Sequence, residues 1–213
     1  MDPETEFLCG LIELQYGLKV QEKLTVLAAK IPWAQNWPED QQAFWNAEAF
    51  MWQHKISQEK RQLISQELKF LIMDLPTKNL DLGCGAYSYL PSVGMDFSDK
   101  MLQFNDQCTE KITADLESPL PVKDNSFNSV TAIFVLNYIK NYSGLLLEIN
   151  RVLKEGVFVM VLYSKQINEW QRQKEVNAFT AEDWKAVLNR AGFIVDFYEK
   201  EGLWFFKCKK LKD

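Results

Sequence analysis

Apolar side chains in the first third of the chain recur at intervals of three and four residues. Between residues 39 and 74 this spacing predicts a helical region with a break near Ile56. Pro38 and Pro76 bracket the region, as prolines often do at helix boundaries. We therefore predict that residues 1–76 form a helical N-terminal extension that belongs to the same domain as the rest of the chain.

From Lys78 onward, short apolar runs alternate with amphipathic segments. This alternation is typical of βα units and predicts an α/β fold with a doubly wound, mostly parallel sheet of seven strands. The short connection at Gly202 predicts an antiparallel hairpin for the last two strands. The predicted strands are 79–83, 92–97, 111–115, 129–136, 157–163, 193–199 and 203–209, and the predicted helices after Lys78 are 98–108, 142–153 and 180–191.

Composition and charge argue against several classes of function. The chain has 213 residues, of which 47% are hydrophobic and 25% charged, as in ordinary globular domains. Its net charge of −5 argues against nucleic-acid binding, because broad contact with phosphates needs a basic face. The acidic start does not resemble a signal peptide and no apolar run could span a membrane, so we expect a cytoplasmic protein. Four widely spaced cysteines and one histidine predict no metal site.

A turn with two glycines follows the first predicted strand. The segment Asn79–Gly85 has the sequence NLDLGCG, in which an acidic residue precedes two glycines that are one residue apart. Glycine allows a tight bend and lets a ligand approach the main chain closely. At the carboxyl end of a strand, such a turn lies where open parallel sheets bind their ligands.

Further polar motifs follow the next strands in order. The second predicted strand ends at Asp96, and Ser98 then provides a good N-cap for a helix. An acidic side chain at this point can accept hydrogen bonds from both hydroxyls of a ribose. The third strand ends at Asp115, and the segment 120–127 (LPVKDNSF) leads into the fourth. Because the carboxyl ends of parallel strands meet at one edge, these motifs can face a single ligand.

In this order the motifs resemble those of the class I S-adenosylmethionine-dependent methyltransferases, in particular the UbiE-like branch (methyltransferase type 11). That branch reads acidic-x-Gly-x-Gly-x-Gly, Gly-x-Asp-x-Ser, Asp-hydrophobic-Glu and Leu-Pro-x-x-Asp-x-Ser-Phe-Asp. The resemblance covers roughly residues 78–209 and implies that residues 77–213 are a Rossmann-like cofactor-binding core. It also implies S-adenosylmethionine as cofactor, S-adenosylhomocysteine as product, and direct displacement of the methyl group onto a small-molecule acceptor.

The resemblance further implies roles for individual residues. Asp81, Gly83 and Gly85 would shape the loop beneath the methionine part of the cofactor. Asp96 would hold the ribose hydroxyls, and Asp115 would accept a hydrogen bond from the adenine amino group. The complete set of implied cofactor-binding residues is Asp81, Gly83, Cys84, Gly85, Tyr87, Asp96, Phe97, Ser98, Asp115, Leu116 and Asn137.

No catalytic residue is assigned by this pattern. Direct displacement from a sulfonium mainly needs alignment of the nucleophile and exclusion of water. A general base is needed only where the nucleophile is protonated, and the candidates for that role are His54 and Tyr138.

Two features depart from the family pattern. Tyr87 stands in the third glycine position, so its ring must displace the following helix or swing over the pocket. Asp81 and Asp96 are only 15 positions apart, which leaves room for about one helical turn between the strands. We infer that the tryptophan-rich N-terminal helices cover the exposed part of the sheet or the nearby cleft. We also expect residues 11–54 and 167–179 to form a lid.

Three alternatives remain open at this point. The departures would suit a methyltransferase-like binding or scaffold protein without catalysis. A nicotinamide dinucleotide enzyme would need Gly-x-Gly-x-x-Gly, but Ser88 occupies the last position. An RNA or protein methyltransferase is the third, although the acidic balance disfavours RNA and the segment 136–139 (LNYI) lacks an Asn-Pro-Pro-Tyr motif.

Overall fold

The protein is described by a computed structural model that covers residues 2–72, 78–164 and 172–211. Within these residues one sheet contains seven strands, in the order β3-β2-β1-β4-β5-β7-β6 once they are numbered along the chain. Neighbours from β3 to β5 are parallel, and β7 is antiparallel to both β5 and β6. The strands are β1 (Asn79–Leu82), β2 (Ser92–Asp96), β3 (Cys108–Thr113), β4 (Phe127–Ile133), β5 (Leu153–Tyr163), β6 (Phe193–Lys200) and β7 (Leu203–Lys210).

Eight α-helices are found in the same described segments. They are α1 (Pro3–Gln15), α2 (Gln21–Ala28), α3 (Gln41–Ala49), α4 (Trp52–Lys55), α5 (Gln58–Ile72), α6 (Asp99–Phe104), α7 (Tyr142–Val152) and α8 (Ala181–Arg190). Short 3-10 turns occur at Pro32–Ala34 and Leu136–Tyr138. None of the helices described here is long and apolar enough to cross a membrane.

The predicted α/β architecture is confirmed, including the C-terminal hairpin and the helix break near Ile56, which has extended backbone angles. Thr180 and Asp183 form the reciprocal cap at the start of α8. The bounds of α1 and α2 within the predicted helical extension were not predicted. Their buried apolar residues pack between the two helices and share one core with residues of α3.

Several predicted boundaries were wrong for local reasons. The helix predicted to reach residue 108 ends at Phe104, since the Asn105 side chain hydrogen-bonds to Gly85 O and Ser88 N. The strand predicted to reach residue 136 ends at Ile133, where Phe134 takes a positive φ of 60°. The end of the N-terminal extension, predicted at residue 76, lies outside the described residues.

The two faces of the sheet are covered by different helices. One face packs against α7 and α8, with Leu146, Ile149 and Trp184 fully buried. On the other face, the apolar side of α5 packs against the odd-numbered apolar residues of β5. This arrangement is that of a doubly wound sheet, and it leaves the carboxyl ends of the parallel strands open at one edge.

The connection between β1 and β2, residues 83–91, contains no helix. Beneath it the sheet face is polar, because Asn79 and Asp81 of β1 lie beside Ser129 and Thr131 of β4. These four side chains are buried and joined by hydrogen bonds of 2.7–2.9 Å. The hydrogen-bonded side chains and the connecting loop occupy the place of the helix that the family has here. The short spacing between Asp81 and Asp96 predicted that a full helix would be missing.

The N-terminal helices have a small core of their own. Phe7, Leu24 and Trp37 are buried there, with Phe7 packed edge-on against the ring of Trp37. This unit is attached to the sheet through α3, because the Asn46 side chain accepts a hydrogen bond of 2.7 Å from Ser98 Oγ. The attachment brings α3 over the carboxyl end of β2.

Candidate active site

A main cavity opens at the carboxyl ends of β1, β2 and β4. Its empty volume, including the open mouth, is about 710 Å³. Six residues of the predicted cofactor set line it, together with the candidate base Tyr138: Gly83, Gly85, Asp96, Phe97, Asp115 and Leu116. The other lining residues are Gln41, Trp45, Trp52, Met101, Glu117, Ile133, Phe134, Val135 and Ile139.

The glycine loop forms the floor of the main cavity. Gly83 and Gly85 have positive φ angles of 58° and 56°, which favour glycine. A Cβ on Gly83 would also lie 2.5 Å from Cγ2 of Val135, closer than real Cβ contacts. Both glycines are therefore required by the backbone and, at Gly83, also by the side chain of Val135, which follows the end of β4.

Asp96 joins the glycine loop to the start of α6. Its two carboxylate oxygens accept hydrogen bonds of 2.9 Å from the backbone N–H groups of Gly85 and Ser98. Burial raises the pKa of Asp96 to about 6, while these backbone hydrogen bonds oppose the shift. A carboxylate has about four acceptor directions, so Asp96 keeps capacity for ligand hydroxyls on the cavity side.

Asp81 lies beneath the glycine loop and does not line the main cavity. It lines a smaller loop cavity of about 230 Å³, together with Gly83, Cys84 and Tyr87. Thr131 Oγ1 donates a hydrogen bond of 2.7 Å to its carboxylate. Burial raises the pKa of Asp81 to about 6, and the nearby Asp96 charge adds to the shift.

The mouth of the main cavity carries two more carboxylates. Asp115 is exposed and accepts a hydrogen bond of 2.9 Å from the Glu117 backbone N–H. Glu117 accepts one of 2.8 Å from the Lys140 backbone N–H. Leu116 is buried between them. The three carboxylates around the cavity, Asp96, Asp115 and Glu117, therefore offer hydrogen-bond acceptors, which suits a ligand rich in hydroxyl and amino donors.

Ser98 and Asn137, from the predicted set, do not line the main cavity. Ser98 is fully buried as the N-cap of α6. The Asn137 side chain donates a hydrogen bond of 2.8 Å to Glu175, and its carbonyl accepts one from Val176 N–H. Both residues hold walls of the site in place.

Tyr87 takes neither of its two predicted positions, because no helix follows it to be displaced and its ring does not line the main cavity. The Arg61 guanidinium lies 4.5 Å from the centre of its ring, and Tyr89 meets it edge-on at 5.2 Å. The ring thus forms part of the wall of the loop cavity.

A side chamber adjoins the main cavity. It has an empty volume of about 330 Å³ and shares the side chains of Trp45, Trp52, Phe134 and Tyr138 with the main cavity. The remaining lining residues are Lys55, Ile56 and Tyr163. We expected the tryptophan-rich N-terminal helices to cover the sheet or the nearby cleft, and Trp45 of α3 and Trp52 of α4 line both cavities. Lys55 and Phe134 were not predicted, because they carry no local motif.

Of the two candidate bases, Tyr138 lines both cavities. Burial raises the pKa of Tyr138 above its usual range, so its phenol stays protonated and can donate a hydrogen bond. His54 lies in α4, but its side chain is outside the part of the chain that the structure describes.

Known proteins similar to this chain point to one family. Residues 80–161 match a family model described as a methyltransferase domain. A demethylmenaquinone methyltransferase of Staphylococcus aureus (strain JH9) is 29% identical over 164 residues, covering 55% of this chain and 68% of that protein.

Solved structures show the same fold at low sequence identity. An S-adenosylmethionine-dependent methyltransferase from Mesorhizobium loti has a TM-score of 0.54 and 16% identity, over 68% of this chain and 96% of its own. The [4+2]-cyclase SpnF has a TM-score of 0.62 and 15% identity, over 74% and 83% of the two chains. These likenesses establish a Rossmann-like fold.

The matched segment runs from β1 through β5 and contains the glycine loop, Asp96 and Asp115. The ordered motifs, the family match and the cavity that the motifs line agree with one another. Residues 80–161 therefore match the methyltransferase domain family, and its S-adenosylmethionine-dependent members identify S-adenosylmethionine as the cofactor.

Proposed function

We propose that the protein transfers the methyl group of S-adenosylmethionine to a small, largely apolar acceptor bound in the side chamber. The observation that carries this proposal is the shared aromatic wall between two cavities. One cavity has the glycine loop and carboxylates suited to a nucleoside. The other is mostly aromatic, as small-molecule sites commonly are.

The cofactor would lie along the main cavity with its ends held by different groups. Asp96 would accept from the ribose hydroxyls, and Asp115 from the adenine amino group. The methionine part would lie over Gly83 and Gly85, near the loop cavity in which Asp81 is buried. In this pose the sulfonium would point towards the aromatic wall, where ring faces attract a cation.

The transfer itself would be a direct displacement. The acceptor nucleophile attacks the methyl carbon, the carbon–sulfur bond breaks, and S-adenosylhomocysteine leaves with the electron pair on sulfur. The chain's contribution would be alignment and a dry chamber. The protonated Tyr138 would orient the acceptor through a hydrogen bond. Lys55, which is paired with Glu48, would place a charged group in the wall of the chamber.

A lid over the two cavities would be made by α3 and the segment 172–179. Lys174 Nζ donates a hydrogen bond of 2.5 Å to Pro38 O, and its ammonium lies 5.0 Å from the ring centre of Phe44. Asn137 connects the same segment to the end of β4 through Glu175. The predicted lid residues 167–171 lie outside the described residues.

The proposal is tested by following a labelled methyl group. Purified protein is incubated with methyl-labelled S-adenosylmethionine and an extract of the source cells from which this protein has been removed. We expect label to accumulate in the small-molecule fraction, and to depend on Asp115 when Asp115→Ala is compared with Asp106→Ala. Asp106 is exposed and does not line the cavities, so its variant is the matched control. Label in the protein or nucleic-acid fraction would contradict a small-molecule acceptor.

A measurement of cofactor binding distinguishes the proposed enzyme from the alternative, a catalytically inactive scaffold. Tyr87 and the missing helix motivated that alternative, yet Tyr87 lies in a side wall and leaves the main cavity open. A folded protein that binds neither S-adenosylmethionine nor S-adenosylhomocysteine would favour the scaffold.

A further inference from the structure

Two cysteines from distant parts of the chain meet beside the glycine loop. Cys84 lies between the loop glycines and Cys108 begins β3. A Cβ on Gly94 of β2 would lie 2.2 Å from the sulfur of Cys108 and 2.9 Å from the sulfur of Cys84. The two sulfurs therefore fill the space that a side chain at Gly94 would need, and they lie beside each other. Both thiols are free.

The surroundings give the two thiols different reactivities. Cys108 is partly exposed, and its sulfur lies 3.4 Å from Ser88 Oγ. Hydrogen bonds from Cys84 and Ser88 lower the pKa of Cys108, although partial burial opposes this. The Cys84 thiol is buried, and its pKa is raised because it is the donor in the shared hydrogen bond. Cys108 is thus the nucleophilic thiol, and Cys84 the neighbour that can attack it afterwards.

We propose that Cys84 and Cys108 form a reversible disulfide when hydrogen peroxide oxidises Cys108, and that this disulfide weakens cofactor binding. The Cys108 thiolate attacks the peroxide, the O–O bond breaks, and a sulfenic acid and hydroxide (water after protonation) are formed. The sulfur of Cys84 then attacks the sulfenic sulfur, the S–O bond breaks, and the thiol proton leaves with the oxygen as water. Two thiols and one peroxide give one disulfide and two waters.

The consequence for the cofactor follows from the position of Cys84. The sulfurs must approach to about 2.0 Å to form the bond, which pulls Cys84 towards β3. The flanking Gly83 and Gly85 line the main cavity, and the Gly85 N–H is bonded to Asp96. Displacing this loop changes the floor of the cavity. This second part of the inference rests on the proposed cofactor site, whereas formation of the disulfide does not.

The first arm of the test maps the bond. Reduced protein is treated with hydrogen peroxide, the remaining thiols are alkylated, and peptides are identified by mass. We expect a linked Cys84–Cys108 peptide pair, lighter by two hydrogens and restored by dithiothreitol. The pair should persist in Cys9→Ser, whose exposed thiol is the matched control, and disappear in Cys108→Ser. Oxidation of Cys9 in wild-type protein without a linked pair would overturn the proposal, whatever the variants do.

The second arm measures S-adenosylhomocysteine affinity by calorimetry before oxidation, after oxidation and after reduction. We expect about a tenfold loss on oxidation, reversed by dithiothreitol and absent in Cys108→Ser. Unchanged affinity in fully linked protein would overturn the control of cofactor binding. If the reduced protein does not bind S-adenosylhomocysteine, both the proposed function and the redox control of that site are contradicted. The peptide map still decides whether the disulfide forms.

Discussion

At the scale of single residues, two buried carboxyl groups dominate the site. Burial raises the pKa of Asp81 and of Asp96 from the usual 3.8 to about 6. Between pH 3.8 and about pH 6, each carboxyl group is mostly protonated in the folded protein and mostly ionised in the unfolded chain. The contribution of each group to the free energy of unfolding therefore falls as pH rises through this window and stays low above it. Ionisation of either buried carboxyl group therefore costs stability at neutral pH, while the hydrogen bonds that each group accepts offset part of this cost.

The variant Asp81→Asn tests how much the buried charge of Asp81 lowers the free energy of unfolding. Asparagine can still accept the hydrogen bond from Thr131 but carries no charge, so we expect it to stabilise the protein at pH 7.5 by up to about 2–3 kcal/mol. The gain should disappear as pH falls from about 6 to about 4. Urea unfolding of wild type, Asp81→Asn and the exposed control Asp106→Asn across this range measures it. A gain that is independent of pH would contradict the raised pKa.

Asp96→Ala should affect both binding and stability. The sequence alone predicts a loss of about 1–3 kcal/mol in cofactor binding, the scale of charge-assisted hydrogen bonds. The structure adds a second effect, because the variant leaves the Gly85 and Ser98 N–H groups without their acceptor. We expect a lower urea midpoint as well as weaker binding in calorimetry. Unchanged affinity in folded protein would disprove the ribose assignment.

At the scale of elements, the loop between β1 and β2 explains how the chain departs from its family. The family's third glycine lets a helix start close to the first strand. Here residues 83–91 form no helix, so that requirement is absent and Tyr87 is tolerated. The short spacing between Asp81 and Asp96 predicted the missing helix correctly. The polar side chains that take its place could not be predicted, because Asn79 and Ser129 pair only through the sheet register.

Tyr87→Gly should destabilise the protein rather than free the loop. The ring packs against Arg61 and Tyr89 but is only partly buried, so its removal should cost about 1–3 kcal/mol, the range of most destabilising substitutions. Tyr87→Phe keeps the ring and should stay within about 1 kcal/mol of wild type. Urea denaturation of both variants gives the comparison. Equal stability of Tyr87→Gly and wild type would show that the ring does not pack as described.

At the scale of the whole molecule, the site is assembled from parts that are far apart in the sequence. The glycine loop, Asp96 and Asp115 were predictable because each follows a strand within a local motif. Lys55, Phe134 and Tyr163 form the side chamber only after α4, β4 and β5 have packed, and nothing local marks them. The bounds of α1 and α2 escaped prediction for the same reason, since their apolar residues are explained only by mutual burial.

Lys174→Met tests whether the N-terminal helices and the segment 172–179 act as a lid. The variant keeps an apolar stem but loses the hydrogen bonds to the Pro38 and Glu39 carbonyls. We expect faster hydrogen exchange in residues 32–49, with protection partly restored by S-adenosylhomocysteine. Lys154→Met, at an exposed position of β5, should leave exchange unchanged. Equal exchange in the two variants, or no protection of wild type by the product, would contradict the lid.

The central claim is that the cavity over the glycine loop binds S-adenosylmethionine. Its most direct test is calorimetric titration of the purified, reduced protein with S-adenosylmethionine and S-adenosylhomocysteine. We expect both compounds to bind to a single site, and Asp115→Ala to weaken their binding by about 1–3 kcal/mol while Asp106→Ala does not. Absence of binding by folded protein, or equal affinity in both variants, would contradict it.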